Sequence, residues 1–304
     1  MQIPLLEVRG LTKDFGAFRA VDDLSFRVNQ GDVFGFLGQN GAGKSTSLRM
    51  LLSLIRPTAG SVSFSGLDLA ANRKAALKQV GAIIERPDLY KYLSALDNLQ
   101  LFARLSGVSA QKSRLLEQLD AVGLSQRYKS KVGTFSQGMK QRLGIAIAMV
   151  HDPALLVLDE PTNGLDPQGI ADMRETILRL NREHGKTILL SSHLLQEVEM
   201  ISNRMLILHR GKKIMDGLVS ECLGPDRNQV AVEATNLQQL KDALQALGLD
   251  VLREFSSQAV VVNIPRSDVP QLIEKLTHHQ IKLLSVQPLQ SLEDFFIQHT
   301  NAQS

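Results

Sequence analysis

Two stretches of the chain hold residue types whose spacing suits phosphate chemistry. Gly38-Gln39-Asn40-Gly41-Ala42-Gly43-Lys44-Ser45-Thr46 fits the pattern G-x-x-x-x-G-K-[ST]. The glycines let the backbone curl so that its N–H groups face phosphate oxygens, a following helix start adds positive potential, and Lys44 neutralises the β- and γ-phosphates. Ser45 is expected to ligate Mg²⁺. Farther on, Leu155-Leu156-Val157-Leu158 runs into Asp159-Glu160, two carboxylates at the end of an apolar strand. Asp159 is expected to hold Mg²⁺ through water, and Glu160 to orient and polarise a water for in-line attack on a γ-phosphorus.

These groups need a scaffold that brings strand ends together. Val33 to Leu37, Leu155 to Leu158, Thr187 to Ser191 and Met205 to His209 read as strands buried on both faces, with segments of helical period between them. That alternation predicts an α/β fold, a P-loop NTPase core with a parallel sheet flanked by helices. Leu5 to Arg9, Leu24 to Val28 and Ser61 to Ser65 alternate and end near glycines, which predicts an antiparallel β layer. From Asp88 to Val132 the period is helical: Ser94 with Asp97 three residues on starts one helix, and Leu115, Leu116, Leu119 and Val122 mark a second. This is read as a helical insertion.

The pattern changes after Leu218, through the turn-rich Gly224-Pro225-Asp226-Arg227-Asn228. Strand Gln229 to Glu233, helix Leu237 to Leu247, strands Val251 to Phe255 and Ala259 to Ile264, helix Val269 to Thr277 and strand Lys282 to Val286 follow. The order βαββαβ is that of a ferredoxin-like α+β unit, and a last helix is expected over Leu292 to His299. The expected domains are thus 1–220, an ATPase-type core, and 221–304, a small accessory unit.

Composition narrows the partners. Lys and Arg number 34 against 31 Asp and Glu, a net charge of +3 that is too small to mark a polyanion binder, so no nucleic acid is implied. The single cysteine, Cys222, forms no internal disulfide and no cysteine-rich zinc cluster. The longest apolar run, Leu143 to Val150, is far short of the roughly 20 residues that cross a bilayer. Met1 to Arg9 has no basic stretch followed by an apolar core, so no secretory signal and a cytoplasmic location are expected.

With these pieces in order, the chain resembles the nucleotide-binding subunit of ABC transporters over about residues 3 to 220. Phe135-Ser136-Gln137-Gly138-Met139 resembles the family's signature, ahead of the helical run Lys140 to Met149. Gly164-Leu165-Asp166 is similar to its Asp-loop, His193 falls where the family keeps a switch histidine, and Phe15 matches the aromatic that stacks on adenine. The resemblance implies ATP as ligand, held by Phe15, Gly38, Asn40, Gly41, Ala42, Gly43, Lys44, Ser45 and Thr46, with Asp166 and the Ser136–Gly138 donors closing over the nucleotide of a second copy. A dimer of ATPase subunits, most simply a homodimer, follows. So does a separate transmembrane permease, which puts the chain peripherally on the cytoplasmic face of the inner membrane. Glu160, His193 and Lys44 take the catalytic roles.

Three positions depart from the family pattern. Glu85 stands where a glutamine is usual, and a carboxylate only accepts hydrogen bonds, which leaves it a possible ligand to Mg²⁺ or water beside Ser45 and Asp159. Gln137 and Met139 replace the usual glycine and glutamine of the signature. All three are similar to the bacterial exporter branch that includes bacitracin-resistance and peptide-antibiotic immunity cassettes. The competing class is a non-transporting ABC ATPase, disfavoured by the single cassette, the missing heptad insertion and the lack of a cysteine set. A GTPase switch is disfavoured because no Asn-Lys-x-Asp sequence follows the loop.

Overall fold

A computed structural model describes residues 3–85, 87–109, 111–222, 229–265 and 268–288, and the chain divides into two compact units, Met1–Val219 and Ser220–Ser304. In the first unit β1 (Leu6–Phe15) and β2 (Phe18–Val28) form a hairpin, and β3 (Val33–Leu37) leads into α1 (Lys44–Leu51). Next come β4 (Ala59–Phe64), β5 (Leu67–Asp68), α2 (Arg73–Leu77), β6 (Val80–Ile83), α3 (Ala95–Leu105), α4 (Lys112–Ala121) and α5 (Gln137–Ala148). The unit ends with β7 (Leu155–Asp159), α6 (Pro167–Arg182), β8 (Thr187–Ser192), α7 (Leu195–Ile201), β9 (Arg204–His209) and β10 (Lys212–Leu218), and a short α8 (Val219–Cys222) follows.

Two sheets result. The smaller has the order β2-β1-β4-β5 with antiparallel pairing, as the alternating segments lead one to expect. The larger has the order β10-β9-β3-β8-β7-β6. Its strands β9, β3, β8, β7 and β6 are parallel, and β10 joins the edge antiparallel, so the sheet is mixed. Every residue of β3, β7 and β8 is buried, which is why these strands read as unbroken apolar runs. The core lies between the two sheets. Phe26 of the hairpin stacks on Phe34 at 5.6 Å and meets Phe36 at 5.5 Å, both on β3, while Leu48 and Leu51 of α1 fill in beside them.

Three strands were not evident from sequence, the first of them the two-residue β5. β6 is only four residues long and contains Gly81, a poor strand former. The glycine is there because a Cβ would sit 2.2 Å from the carbonyl oxygen of Ala148 at the end of α5. β10 is a half-buried edge without alternation. Within the 88–132 segment both expected helices form. Ser94 accepts from Asp97 N while Asp97 accepts from Ser94 N, a reciprocal cap that fixes the start of α3.

The second unit contains β11 (Gln229–Ala234), α9 (Leu237–Ala246), β12 (Val251–Ser256), β13 (Ala259–Asn263), α10 (Val269–His278) and β14 (Leu283–Pro288). Its sheet has the order β12-β13-β11-β14 with every pair antiparallel. Val230, Val232, Val260 and Val262 turn one sheet face onto Leu240 and Leu244 of α9 and Leu272 and Leu276 of α10. The expected turn at Gly224 to Asn228 and the expected helix at Leu292 to His299 lie outside the described residues.

Candidate active site

The site forms where β3, β7 and β8 end on the same side of the larger sheet, the usual location of a ligand crevice in such folds. The loop 38–43 leaves β3 and turns directly into α1. Gly43 is the N-cap, with φ of 104° and no side chain to satisfy the first amides of α1. A Cβ on Gly43 would meet Ala20 O at 2.6 Å, and one on Gly38 would meet Leu208 O at 2.5 Å, so the curl requires glycine at both positions. The α1 N–H groups are left facing outward, a ready anion site.

Lys44 is 6% exposed, and its ammonium donates to Gly38 O at 2.7 Å and Gln39 O at 3.3 Å and lies 3.2 Å from Glu160 Oε1. Glu160 follows β7 with φ of 48°, a left-handed conformation that few non-glycine residues adopt. Its second oxygen, Oε2, is 2.6 Å from His193 Nδ1. His193 follows β8 directly, in a turn closed by the bond from Leu194 N to Ser192 Oγ at 2.9 Å. Lysine, glutamate and histidine thus form one chain of contacts across the strand ends. Asp159 sits just behind them, 4% exposed, with Ser191 Oγ donating to Oδ1 at 2.5 Å.

A cavity of about 480 Å³ opens over this chain of contacts. Its walls are Phe18, Ala20, Gln39, Asn40, Gly41, Gly43, Lys44, Ser45, Thr46, Glu160, Asn163 and His193. Of the expected ligand residues it gathers Asn40, Gly41, Gly43, Lys44, Ser45, Thr46, Glu160 and His193. Gly38 supports Lys44 from below, and Ala42 is buried, with its carbonyl accepting from Gly211 N at 2.9 Å. The oxygen donors near the loop, the Ser45 hydroxyl and the Asp159 carboxylate, are the hard set that Mg²⁺ accepts.

Other expected site residues lie elsewhere. Phe15 is 51% exposed at the end of β1, with the Lys13 ammonium 5.0 Å from its ring centre, and it is its cross-strand partner Phe18 that lines the cavity. Ser136 caps α5, accepting from Met139 N at 3.2 Å, and is exposed. Gly138 lies in the first turn of α5, where a Cβ would be 3.8 Å from Gly169 Cα. Asp166 caps α6 through Gly169 N at 2.8 Å. The carboxylate of Glu85, at φ of 66°, pairs with Arg49 of α1 and is not part of the cavity wall.

Sequence reasoning missed Phe18, Ala20, Gln39 and Asn163 on the wall and Ser191 behind it. Gly16, with φ of 60°, offered one signal: a turn there pairs Phe15 with Phe18 across the hairpin.

The model of a family described as ABC transporter matches residues 21–163. An uncharacterized ABC transporter ATP-binding protein of Bacillus subtilis, YhcH, is 41% identical over 300 residues, covering 97% of this chain and 96% of that one. The bacitracin transport ATP-binding protein BcrA of Bacillus licheniformis is 48% identical over 208 residues, 68% of each chain. A solved structure of the ATP-binding subunit of an ABC transporter superposes with a TM-score of 0.66 at 27% identity, covering 97% of this chain and 99% of that one. The α/β core is that of the P-loop NTPases. Full-length similarity, the phosphate loop and the glutamate–histidine pair agree: the chain belongs to the ATP-binding subunits of ABC transporters, ATPases that power a membrane transporter.

Proposed function

We propose that the chain is the ATPase of an exporter, working as a dimer on the cytoplasmic face of the inner membrane against a separate transmembrane permease. The observation that carries this reading is the contact chain Lys44–Glu160–His193 at an α1 start that no side chain caps. Export is supported by the similarity to BcrA, whose name assigns it to bacitracin transport. Among the described residues no helix is long and apolar enough to cross a membrane, so the spanning part is assigned to the permease.

In this mechanism the α1 amides and Lys44 take the β- and γ-phosphates of ATP. Lys44 exchanges Glu160 Oε1 for phosphate oxygen, and that carboxylate oxygen then faces the attacking water. His193 keeps Oε2 in place, so Glu160 accepts the water hydrogen along one direction. Water attacks the γ-phosphorus in line, the bond to the β-phosphate oxygen breaks, and ADP and phosphate leave. The Ser45 hydroxyl and the Asp159 carboxylate would hold Mg²⁺, which supplies charge neutralisation at the phosphates. Glu85, paired with Arg49 here, would have to leave that pair to add a carboxylate oxygen to the ion.

Ser136 and Gly138 of a second copy donate to the γ-phosphate, with Asp166 beside them, and loss of that phosphate removes the contacts that hold the dimer closed. Phe15 and Phe18 form the base platform. The domains are 1–220, the ATPase, and 221–304, a ferredoxin-like accessory unit, supported by the βαββαβ order and the sheet order β12-β13-β11-β14.

Glu160→Gln tests the reading. Hydrolysis is expected to fall by about 100-fold or more while MgATP binding persists, and the variant should elute as a nucleotide-dependent dimer in gel filtration. Turnover at the wild-type rate would remove Glu160 from its role.

A further inference from the structure

Ser191 lies on β8 two residues before His193, fully buried, and the parallel register sets it beside Asp159. Its Oγ makes two bonds. It donates its one hydrogen to Asp159 Oδ1 at 2.5 Å and accepts from Glu160 N at 2.9 Å. A single hydroxyl therefore touches both carboxylate residues of the site, one through its side chain and the other through its backbone.

We infer that Ser191 is a positioning residue that sets, through this one hydroxyl, both the orientation of the Asp159 carboxylate and the direction in which Glu160 leaves the strand. The inference rests on the ATPase reading above. Holding Oδ1 fixes the rotation of the Asp159 carboxylate and so aims Oδ2. Holding Glu160 N helps to keep that residue at φ of 48°, and this backbone turn carries Oε1 toward Lys44 and Oε2 toward His193. Without the hydroxyl, a buried carboxylate oxygen and a part-buried amide both lose the Ser191 contact. Asp159 is then free to rotate, and Glu160 to relax toward an ordinary backbone conformation, drawing Oε2 away from His193. The end of β8 thus organises the site twice, with Ser191 from beneath and His193 from the side.

A purely structural serine would affect stability alone. The test therefore titrates full-length protein with Mn²⁺ in the presence of a non-hydrolysable ATP analogue, following free Mn²⁺ by electron paramagnetic resonance, alongside steady-state hydrolysis and metal-free nucleotide binding. Ser191→Ala is expected to weaken Mn²⁺ binding and to lower kcat, each by about 10- to 100-fold, with metal-free nucleotide affinity unchanged. Ser191→Thr keeps the hydroxyl and should restore both. Should the alanine variant not fold, Ser191→Cys, of similar size with only a weak donor, carries the same expectation of loss. Asp159→Asn is the reference. If it leaves Mn²⁺ binding unchanged, the assignment of the metal to Asp159 fails. If it weakens binding while the alanine and cysteine variants match wild type in Mn²⁺ affinity and kcat, or lose thermal stability alone, the role of Ser191 is overturned.

Discussion

Two helices of the first unit begin in opposite ways. At α1 the N-cap is Gly43, which has no side chain to satisfy the opening amides, whereas at α5 the N-cap is Ser136, whose hydroxyl accepts from Met139 N at 3.2 Å. A helix start without a side-chain cap is costly when nothing binds there and strong when an anion does. The phosphate loop is built that way: its amides and the buried Lys44 ammonium converge on a cavity within the same chain. Ser136 satisfies its own helix with a lone pair and still has its hydroxyl hydrogen to donate. The first helix start leaves its amides open to a phosphate, and under the proposed dimer the second has a donor to lend to one held by another copy. α6 gives a third variant, since the carboxylate of its Asp166 cap accepts from Gly169 N and has no hydrogen to lend when ionised.

Lys44→Ala breaks the receiving end most severely. It deletes a buried cation facing the cavity and leaves Glu160 Oε1 without that partner. Nucleotide affinity is expected to fall by about 100-fold in a titration with a fluorescent ATP analogue, the size of a lost charge-assisted contact. An affinity equal to wild type would mean that the α1 start is not the phosphate site.

A smaller effect is expected at the lending end. Ser136→Asp keeps an acceptor for Met139 N, so α5 remains capped, but it removes the hydrogen to be donated and adds charge facing a phosphate. Nucleotide binding by a single copy should be unchanged, while ATP-dependent dimerisation, measured by sedimentation in the Glu160→Gln background, weakens by about tenfold or more. Dimerisation at wild-type strength would leave α5 with a structural cap and nothing to lend.

How much of this was legible beforehand follows from how each group is placed. Lys44 opens α1 after the loop that leaves β3, and Glu160 follows β7, each within a contiguous motif, so residue type and neighbours sufficed to identify them. The valine-rich segments Gln229 to Glu233 and Ala259 to Ile264 likewise read as strands from their residue types. Ser191 was not legible as a site residue, because its importance depends on a cross-strand register that sets it against Asp159. Phe18 required knowing which face of a twisted hairpin meets the loop. The pairing of Glu85 with Arg49 joins residues 36 positions apart, and no local pattern encodes it. β6 escaped because the feature that fits it into the fold, Gly81 against Ala148 O, is the one that lowers strand propensity.

The far end of α5 supplies the smallest effect and a control on the comparison. Asp152, at φ of 58° in the turn after that helix, accepts from Lys186 Nζ at 2.6 Å. The Lys186 hydrogen bond holds its carboxyl below the usual aspartate range, against the opposing effect of burial. A carboxyl depressed in the folded state contributes stability that is complete above its unfolded value and is lost as pH falls through the folded one. Asp152→Asn tolerates the same left-handed backbone and should leave hydrolysis and dimerisation untouched. At pH 7 it should lower the melting temperature by no more than about 3 °C, because a side chain 62% exposed is well screened by solvent. That difference should shrink as pH drops below about 4, where the aspartate carboxyl of the unfolded chain begins to take up its proton. A melting difference that persists unchanged into that acid range would show that the contact acts through packing rather than charge. A loss of ATP-dependent dimerisation would show that the two ends of α5 are coupled, and that the start of the helix cannot be treated on its own.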